Sequence, residues 1–512
     1  MLARIFTIAL EGVAARLVEV EVDLSNGLPA LNMVGLPEAT VRESKDRVRS
    51  ALKNGGWMVP AKRVTINFAP ADLPKSGSLY DLPVAVGLLT AMGVLEREAS
   101  QNRLILGELA LDGRIKPVPG CMPAAILAQK SDYDEIILPQ ENGQEASLVK
   151  GVRVIPVANL AELVGHLSGA FPIQAMVEAQ ASALQAQQSI KVDFAEIKGQ
   201  EQAKRAMEVV AAGGHNLLMN GPPGSGKSML ASALPSILPP LSSQEMLEVS
   251  AVHSVAGHLS RENPYVAIRP YRSPHHNASA VALVVGGSTP RPGEVSLAHR
   301  GVLFLDELTE FPRQVLEALR EPMESGDVTI SRASQSAHFP ARFQLIAACN
   351  PCPCGHLGDA NNRCICTPVQ IDRYQSRLSG PLLDRIDLHL EVPAVDLAAL
   401  AKEGDAECSL DIRQRVVAAR GRQQQRQGEG VLNSMLSGRE LEQHASLADS
   451  SRQLLLQASK SLGFSARAFH RIQRVARTLA DLDDHADIQT HHIAESIQYR
   501  TTLREKRASS VG

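Results

Sequence analysis

An eight-residue run near the middle of the chain has the residue types and spacing of a phosphate-binding loop. In such a loop, glycines let successive backbone N–H groups surround a phosphate at the start of a helix, a lysine binds the outer phosphates, and a hydroxyl binds Mg²⁺. The pattern G-x-x-x-x-G-K-S is filled at every fixed position by Gly221, Pro222, Pro223, Gly224, Ser225, Gly226, Lys227 and Ser228. The run therefore predicts a site for ATP and Mg²⁺.

A second run places two carboxylates directly after an apolar stretch, in residues 301–307 (Gly-Val-Leu-Phe-Leu-Asp-Glu). Asp306 is predicted to hold the magnesium shell, and Glu307 to orient and deprotonate the attacking water. The alternative is a glycine turn and an acidic strand end without chemistry. The presence of both runs in one chain, in the right order, favours ATP hydrolysis.

The flanking residues predict the elements that position these side chains. Residues 215–220 have the pattern of a short buried strand, and residues 228–234 that of the opening of a helix. Residues 343–349 form another buried strand that ends at Asn350. A polar side chain there, on the strand beside the Asp306 strand, can contact the attacking water or the γ-phosphate.

Two arginines lie further along the chain at places that suit nucleotide contacts. Arg385 follows Gly380-Pro-Leu-Leu-Asp in a short loop or helix end, from which it could reach a neighbouring subunit's nucleotide. Arg467 stands at the start of a helix that carries one apolar face. That face comprises Phe469, Ile472, Val475, Leu479 and Leu482, and the opposite face carries Arg467, Arg471 and Arg474. Apart from Arg467, these arginines are predicted to form a solvated face.

Composition bounds the class of protein. The chain has 512 residues, of which 44% are hydrophobic and 21% charged, which is enough for about three domains. The formal net charge of −3 creates no global attraction to nucleic acid, so any such surface must be local. No secretory signal is evident, and the uncharged stretch 82–95 is too short to span a bilayer, which together predict a cytoplasmic protein without membrane partners.

Shifts in composition divide the chain into successive regions. Strand and helix patterns mix in the first third, an Ala/Gln-rich connector follows, then the nucleotide core, and finally mostly helical sequence. The predicted boundaries are 1–168 for the N-terminal domain, 169–193 for a linker, 194–392 for the core, 393–505 for a helical domain, and 506–512 for a tail.

The ordered set of motifs resembles the AAA+ ATPases, and three further groups of residues narrow the resemblance. The box 272–276 (Arg-Ser-Pro-His-His) and the run 292–308 look like the magnesium-chelatase branch. Within that branch, the N-terminal domain (residues 1–168, called the head below) resembles the ComM/YifB group. The resemblance lies in the segments 32–37, 41–44, 69–75 and 80–83. The resemblance extends from Ala3 to about Arg504.

This resemblance implies an α/β fold with an N-terminal Lon-protease-like α+β domain, an AAA+ P-loop core with a parallel sheet, and a C-terminal helical lid. It also implies a hexameric ring with ATP at the subunit interfaces. On the family pattern, Asn350 is sensor 1, Arg385 the arginine finger acting in trans, and Arg467 sensor 2. ComM proteins are regarded as DNA helicases that migrate branches during natural transformation. The expected partners are therefore single-stranded and branched DNA, bound independently of sequence, and recombination proteins.

Two segments of the core are candidates for DNA contact. The long insert 253–300 holds the cationic side chains Arg261, Arg269, Arg272, His275, His276 and Arg291. Residues 328–339 are predicted to form a hairpin that carries Arg332 and His338. Sparse cations on loops suit sequence-independent binding, whereas an aromatic content of 3% argues against base stacking as the main grip. The alternative is that these loops merely pack between subunits.

Five of the seven cysteines lie between residues 349 and 366. Four of them, Cys352, Cys354, Cys364 and Cys366, offer the thiolates that a structural tetrahedral Zn²⁺ requires, although the C-x-C spacing is tighter than the common C-x-x-C. Cys349 is predicted to be buried, and His356 is an alternative ligand. The competing interpretation is that these cysteines are free.

The head also resembles the proteolytic domain of Lon proteases, through segments 74–77, 107–114 and 117–122. Lon proteases use a Ser-Lys dyad, but here the serine position falls on Leu79 and the lysine position on Met122. Ser78 is one residue off and has no evident lysine partner, and a hydroxyl without a base is a poor nucleophile. We expect a protease fold without protease activity, serving assembly or DNA contact.

Three functional hypotheses follow. The favoured one is an ATP-driven motor for branched DNA, acting as a helicase in branch migration during natural transformation and homologous recombination. The alternative is a magnesium-chelatase-type or protein-remodelling ATPase without DNA activity. An ATP-dependent protease is disfavoured by Leu79 and Met122.

Overall fold

The structure is a computed structural model that describes residues 2–179, 192–286, 290–332, 335–358, 363–394 and 407–501. It contains, in chain order, a mixed α+β head, a core built on a parallel sheet, and a helical C-terminal region. This is the predicted fold class. Residues 180–191 of the predicted linker and the whole predicted tail (506–512) lie outside the described residues, and so do residues 395–406 and 502–505 of the predicted helical domain.

The head is a mixed sheet with helices packed against it. Its strands are β1 (Leu2–Glu11), β2 (Ala14–Ser25), β3 (Ala30–Val34), β4 (Arg63–Ala69), β5 (Arg103–Ile105), β6 (Glu108–Leu109), β7 (Ile115–Lys116), β8 (Glu135–Pro139) and β9 (Arg153–Val157). Seven of these strands form one sheet in the order β3-β4-β2-β1-β5-β8-β9.

The head helices are α1 (Ala39–Asn54), α2 (Asp81–Ala91), α3 (Cys121–Lys130), α4 (Gly143–Ala146) and α5 (Leu160–Leu167). Every residue of α2 is buried, because its sequence after Asp81 is uncharged and packs against the β1–β2 face of the sheet. The uncharged stretch noted in the sequence is thus a core helix. Among the described helices, none combines the length and hydropathy needed to cross a membrane.

The core follows the order of elements predicted from its motifs. Its strands are β10 (Leu217–Asn220), β11 (Tyr271–Arg272), β12 (Val285–Gly286), β13 (Arg291–Pro292), β14 (Val302–Leu305), β15 (Asp327–Arg332), β16 (Gln335–Pro340), β17 (Gln344–Cys349) and β18 (Leu388–Glu391). The sheet has the order β11-β14-β17-β10-β18, with all neighbours parallel. Because the carboxyl ends of parallel strands meet at one edge, side chains that follow β10, β14 and β17 lie together.

The core helices are α6 (Glu201–Gly213), α7 (Lys227–Ile237), α8 (Ser243–Ala256), α9 (Ala280–Leu283), α10 (Glu294–Leu297), α11 (Arg313–Ala318), α12 (Arg320–Ser325), α13 (Pro368–Gln375) and α14 (Gly380–Leu383). Strands β10 and β14 are buried along their whole length because helices cover both faces of the sheet. The predicted hairpin is confirmed as the antiparallel pair β15–β16.

The C-terminal region is helical, with α15 (Ser409–Gln427), α16 (Gly438–His444), α17 (Asp449–Leu462), α18 (Ala466–Leu482) and α19 (Thr490–Thr501). Helix α18 begins where Ser465 Oγ accepts a hydrogen bond from the Ala468 N–H, which satisfies one free donor of its first turn. Val475 and Leu479 of α18 join the core cluster that contains β10 and α7, so the region packs directly onto the nucleotide core.

Candidate active site

The phosphate-binding run forms the connection between β10 and α7. Gly224 and Gly226 have φ of +75° and +89°, the left-handed backbone that glycine adopts without strain. A Cβ at Gly221 would lie 2.1 Å from the Val392 carbonyl oxygen, so the third glycine is required by close packing. The loop therefore has the sharply turned backbone needed to direct N–H groups inward at the start of a helix.

Lys227 is buried within this loop. Its Nζ donates to the carbonyl oxygens of Gly221 (2.7 Å) and Pro222 (2.9 Å) and lies 3.4 Å from Asn350 Oδ1. Burial lowers the pKa of the Lys227 ammonium, and the nearby Asp306 carboxylate opposes that shift. The cation is thus held at the place where the outer phosphates of a bound nucleotide would lie.

Ser228 and Asp306 meet across the carboxyl ends of β10 and β14. Ser228 Oγ donates to Asp306 Oδ2 at 2.8 Å, and Asp306 Oδ1 accepts from the Glu307 N–H at 2.9 Å. The hydroxyl and the carboxylate are oxygen ligands of the kind that Mg²⁺ prefers, and their oxygens are close enough to bind one ion. These two side chains fit a magnesium ion that also binds phosphate oxygens.

Asn350 follows β17, which lies between β10 and β14 in the sheet. Glu307, directly after Asp306, has a left-handed backbone (φ +51°), which is uncommon for a residue with a side chain. The structure thus brings Lys227, Ser228, Asp306 and Asn350 to one edge of the sheet with Glu307 beside them. Their individual roles stay predictions.

Arg385 and Arg467 lie at the opposite edge of the same sheet. Arg467 lines a cavity of about 1000 Å³ together with Asn216, Gly301, Gln344 and Asp387, which stand at the amino ends of the parallel strands. Arg385 precedes β18, and its Nη2 lies 2.6 Å from Oε1 of Glu324 in the wall of that cavity. Four strand residues span about 13 Å, so neither arginine is close to the phosphate-binding loop of its own chain.

The predicted solvated face of α18 is wrong for two of its arginines. Arg471 Nη1 lies 2.5 Å from Oδ1 of the buried Asp387, and Arg474 lines the same cavity. Burial raises the pKa of Asp387, but Arg471 and His215 overcome that effect and hold it well below its ordinary value. Burial lowers the pKa of Arg474. The 3.6-residue period identified the polar face correctly, but that face covers a cavity because α18 packs back onto the core.

Two of the insert's cations are structural, which corrects part of the predicted DNA surface. Arg269 is largely buried and donates to Glu245 (2.9 Å) and to the Arg300 carbonyl (2.8 Å). Arg272 makes a bidentate pair with Glu294, at 2.7 and 2.8 Å. Carboxylates distant in sequence pair with both guanidinium groups, and the burial of Arg269 keeps it from a phosphate backbone.

The other cations of the insert and hairpin have different surroundings. Arg261, His275 and Arg291 are exposed, whereas His276 Nδ1 lies 3.2 Å from Oε2 of Glu307. His338 in the hairpin is 60% exposed, with its Nε2 3.5 Å from Asp327 Oδ1. The side chain of Arg332 lies outside the described residues.

The four cysteines predicted to bind zinc converge. The Sγ atoms of Cys352, Cys354 and Cys364 are 3.4 to 3.7 Å apart, and with that of Cys366 all lie within 4.8 Å of one another. A tetrahedral site with Zn–S bonds of about 2.3 Å has S–S separations of about 3.8 Å, so the donor set fits. Cys349 is buried on β17 as predicted, and His356 is not one of the converging ligands.

The cysteine cluster packs against the phosphate-binding loop. A Cβ at Gly355, directly after Cys354, would lie 2.5 Å from Cδ of Pro223. Gln375 Nε2 also donates to the Pro351 carbonyl at 3.1 Å, which ties the cluster to α13. The cluster therefore lies directly beside the loop that would hold the phosphates.

In the head, the positions of a protease dyad are apolar. Leu79 and Met122 are both buried. Ser78 Oγ donates to Glu108 Oε2, and the buried Lys75 donates to the carbonyls of Phe68 (3.3 Å) and Pro70. The hydrogen-bond partner of the Ser78 hydroxyl is thus a carboxylate and not a lysine. The proteolytic inactivity of the head stays a prediction.

Sequence patterns missed one site that joins head and core. Ser254 of α8 donates to Glu145 Oε1 at 2.7 Å and accepts from the backbone N–H groups of Gly120 (3.2 Å) and Met122 (3.3 Å). Glu145 is buried, and burial raises its pKa to about 6. No local signal could reveal this pairing, because Ser254 and Glu145 are 109 residues apart.

The fold and the site define a magnesium-chelatase-like AAA+ protein, a class of ATPases. Residues 193–400 match the family model described as magnesium chelatase, subunit ChlI. Residues 20–142 match subunit ChlI of Mg-chelatase, and residues 406–500 match the C-terminal part of magnesium chelatase subunit ChlI. All three parts of the chain therefore match models of one protein class.

Full-length relatives narrow this class. The chain is 46% identical to the competence protein ComM of Haemophilus influenzae over 506 residues, which are 98% of each chain. It is also 46% identical to YifB of Escherichia coli over 504 residues, again 98% of each. The 38 kDa magnesium-chelatase subunit of Cereibacter sphaeroides is 29% identical over 31% of this chain and 52% of the relative. The chain belongs to the ComM/YifB family.

Proposed function

We propose that this chain is an ATP-driven motor that assembles into a hexameric ring and acts on branched DNA. Its role would be that of a helicase in branch migration during natural transformation and homologous recombination. Two findings support the proposal: the assembled nucleotide site, and similarity over 98% of both chains to a competence protein. Recombination proteins are the expected further partners.

The observation that carries ATP hydrolysis is the 2.8 Å contact between Ser228 and Asp306, beside Lys227 and Asn350. Bound Mg²⁺ would supply charge neutralisation for the phosphates. Ser228 and Asp306 would hold that ion, and Lys227 would exchange its carbonyl partners for phosphate oxygens. Asn350 would orient the attacking water, and Glu307 would take its proton.

The position of Arg385 and Arg467 supports a ring. Both lie at the amino ends of the strands, and the phosphate-binding loop is at the carboxyl ends. A head-to-tail ring joins two different surfaces of the chain, and the proposed ring would set the surface at the amino ends of the strands against the nucleotide of the next subunit. Arg385 is already oriented by Glu324 and by the Pro381 carbonyl (2.8 Å). It would supply transition-state charge as an arginine finger, with Arg467 acting from the same side.

A mixing experiment tests the shared site. Lys227→Ala and Arg385→Lys, which keeps a cation for Glu324, should each be nearly inactive as ATPases. In randomly mixed rings about a quarter of the interfaces would pair an intact loop with an intact arginine, so the mixture should regain a corresponding share of activity. Arg452→Ala, at an exposed position of α17, serves as the control and should stay active. Absence of any recovery in the mixture would argue against catalysis in trans.

We also propose that Cys352, Cys354, Cys364 and Cys366 bind a structural Zn²⁺. The support is their convergence within 4.8 Å and the fit of the measured sulfur separations to a tetrahedral site. The contact between Gly355 and Pro223 indicates what the ion would do, which is to fix the loop wall beside the phosphates.

A second candidate is a magnesium-chelatase-type or protein-remodelling ATPase without DNA activity. It is favoured by the family models that match residues 193–400 and 406–500, both described for a magnesium-chelatase subunit. ATP turnover that no DNA alters would support this candidate over the DNA motor.

A further inference from the structure

Four side chains that can bind a metal ion converge where α18 is followed by α19. Asp483 and His485 lie between the two helices, and His491 and His492 lie in the first turn of α19. Each offers one nitrogen or oxygen atom, and these four atoms all lie within 4.8 Å of one another. Imidazole and carboxylate groups are ligands of divalent transition metals such as Zn²⁺. These four residues are called the histidine cluster below.

The carboxylate of the histidine cluster is oriented by a cation of the core. Asp483 Oδ1 accepts a hydrogen bond from Arg205 Nη2 of α6 at 3.2 Å. Asp483 Oδ2 lies 3.8 Å from His491 Nε2 and 3.3 Å from His492 Nε2. A tetrahedral ion with bonds of about 2.0 to 2.1 Å holds its ligand atoms about 3.4 Å apart. Oδ2 is therefore placed to share one ion with a histidine nitrogen.

The backbone between the helices is held by a buried arginine. Arg477 Nη2 donates to the His485 carbonyl at 2.7 Å, and its Nη1 donates to the Ala486 carbonyl at 2.6 Å. Arg477 is itself paired with the buried Asp481 at 3.0 Å. The His485 imidazole stays exposed on this fixed backbone. A ligand that is already positioned in this way loses little freedom when an ion binds, which favours binding.

His492 has a separate role in the histidine cluster because it is fully buried. Its Nδ1 accepts a hydrogen bond from the Gln489 N–H at 2.9 Å, so in the neutral ring the proton is on Nε2. Within the part of the chain that the structure describes, this Nε2–H makes no hydrogen bond of normal geometry. A protonated nitrogen cannot bind an ion, but it can donate to the carboxylate of Asp483, 3.3 Å away. Ligating carboxylates are commonly held by such donors.

We propose that Asp483, His485 and His491 bind a divalent transition-metal ion such as Zn²⁺, with His492 orienting the carboxylate. Water completes the coordination, since the side chains of Asp483 and His491 are 32% and 61% exposed. The site is separate from the cysteine cluster, and it does not depend on the proposed ATPase or DNA function. Its ligands come from both sides of the connection between α18 and α19, so the ion links the two helices.

The surroundings of Arg205 show how this ion also acts on the contact with the core. Besides Asp483, Arg205 binds Glu208 at 3.1 Å and Glu495 at 3.3 Å. These two carboxylates offset the positive charge that the ion adds beside the guanidinium group. The ion therefore leaves the bond between Arg205 and Asp483 in place and strengthens the attachment of the helical region to α6.

The test is a calorimetric titration of the full-length protein with Zn²⁺. Wild type should bind one ion per chain more than His485→Ala or His491→Ala, because removal of a ligand should weaken this site by about a hundredfold. His258→Ala removes an exposed histidine elsewhere and should bind as many ions as wild type. The proposal concerns only the ion that the histidine variants lose, so this ion should still bind to Cys352→Ser.

A conservative variant and a stability measurement separate ligation from a merely structural role. His491→Glu keeps a ligand oxygen at a similar reach, so it should retain the ion that His491→Ala loses. Zn²⁺ should raise the midpoint of thermal unfolding by about 2 to 4 °C more in wild type and His258→Ala than in the two alanine variants of the histidine cluster. Addition of EDTA should abolish this difference.

Equal ion uptake by wild type, His485→Ala and His491→Ala would overturn the proposal, whether or not the cysteine cluster binds zinc. Loss of the ion in His491→Glu as well as in His491→Ala would also contradict ligation by residue 491. Neither result would bear on ATP turnover or on its response to DNA, so the proposed function is tested separately.

Discussion

The nucleotide-binding edge of the core and the protease-like region of the head both consist of short loops that lead into helices, yet their side chains differ in chemistry. In the core, Lys227, Asp306 and Asn350 meet at one edge and keep polar atoms directed at a common space. In the head, the dyad positions are the buried apolar Leu79 and Met122.

The polar groups that remain in the head are engaged in structural bonds. Ser78 is bound to Glu108, and Lys75 to backbone carbonyls. The start of α3, which contains Met122, is bound by Ser254 from the core. A resemblance between sequence segments therefore does not confer chemistry where the reacting atoms are absent. In the head, the residues around Met122 instead form a contact with the core, in which Ser254 binds Glu145 and the backbone of Gly120 and Met122. This contact is called the joint below.

The sharpest contrast comes from one substitution in each region. Glu307→Gln should bind ATP normally but lose about 10²- to 10⁴-fold in kcat, because the amide cannot accept the proton of the attacking water. Ser78→Ala should leave ATP turnover unchanged, and neither the wild type nor this variant should cleave peptides. Steady-state kinetics with a fluorescent peptide assay in parallel checks both. Normal ATP turnover in Glu307→Gln would show that Glu307 is not the general base.

The cysteine cluster offers the next test, on the core side of the comparison. Cys352→Ser should reduce the zinc content below one ion per chain. Because the cluster packs on Pro223, it should also weaken nucleotide binding by about tenfold, the effect of losing the shell that supports a site. Metal analysis and titration with a fluorescent ATP analogue measure the two effects. The matched control is Cys408→Ser, a cysteine outside the cluster. Full nucleotide affinity in a zinc-free protein would show that the zinc site does not support the phosphate-binding loop.

On the head side, Ser254→Ala should loosen the joint. It removes one hydrogen-bond donor to the buried Glu145 carboxylate, which keeps its bonds from the Met122 N–H and from Asn142. The loss of a hydrogen bond to a charged group costs about 1.5 to 3 kcal/mol in the free energy of unfolding. The single tryptophan, Trp57, packs against the head core, so its fluorescence during urea unfolding reports this loss. Ser461→Ala, at an exposed position of α17, is the control. Equal stability of both variants would show that the joint contributes nothing.

The smallest effect concerns pH. Burial raises the pKa of Glu145 from 4.5 to about 6, so the folded head binds its proton more tightly than the unfolded chain does. The protonated form favours folding, so stability should fall as pH rises from about 4.5 to about 6, by up to about 2 kcal/mol. Glu145→Gln should lack this dependence. The same slope in both proteins, followed by Trp57 fluorescence, would show that Glu145 is not the group responsible.

Local patterns predicted much of this molecule. The glycines and lysine of residues 221–227, the apolar strand before Asp306 and the hairpin at 328–339 are specified by neighbours in sequence, and the structure has them at the predicted places. The parallel order of the strands then accounts for the approach of Asn350 to Lys227. These predictions succeeded because few tertiary contacts are needed to define them.

The corrections all concern partners that lie far away in the chain. Arg471 was expected in solvent but pairs with Asp387, 84 residues earlier, and Arg269 is captured by Glu245. The contact of His276 with Glu307 and that of Ser254 with Glu145 are of the same kind. A single sequence shows which side chains are charged, but not which distant charge will neutralise them.

The measurement that tests the central claim most directly is steady-state ATP turnover by the purified protein without DNA, with single strands, and with a four-way junction. All three are measured at one fixed salt concentration, because phosphate contacts are salt-sensitive. The account predicts stimulation that is greatest with the junction and absent in Arg385→Lys. Turnover that no DNA changes would contradict it and would favour the chelatase-type or protein-remodelling ATPase instead.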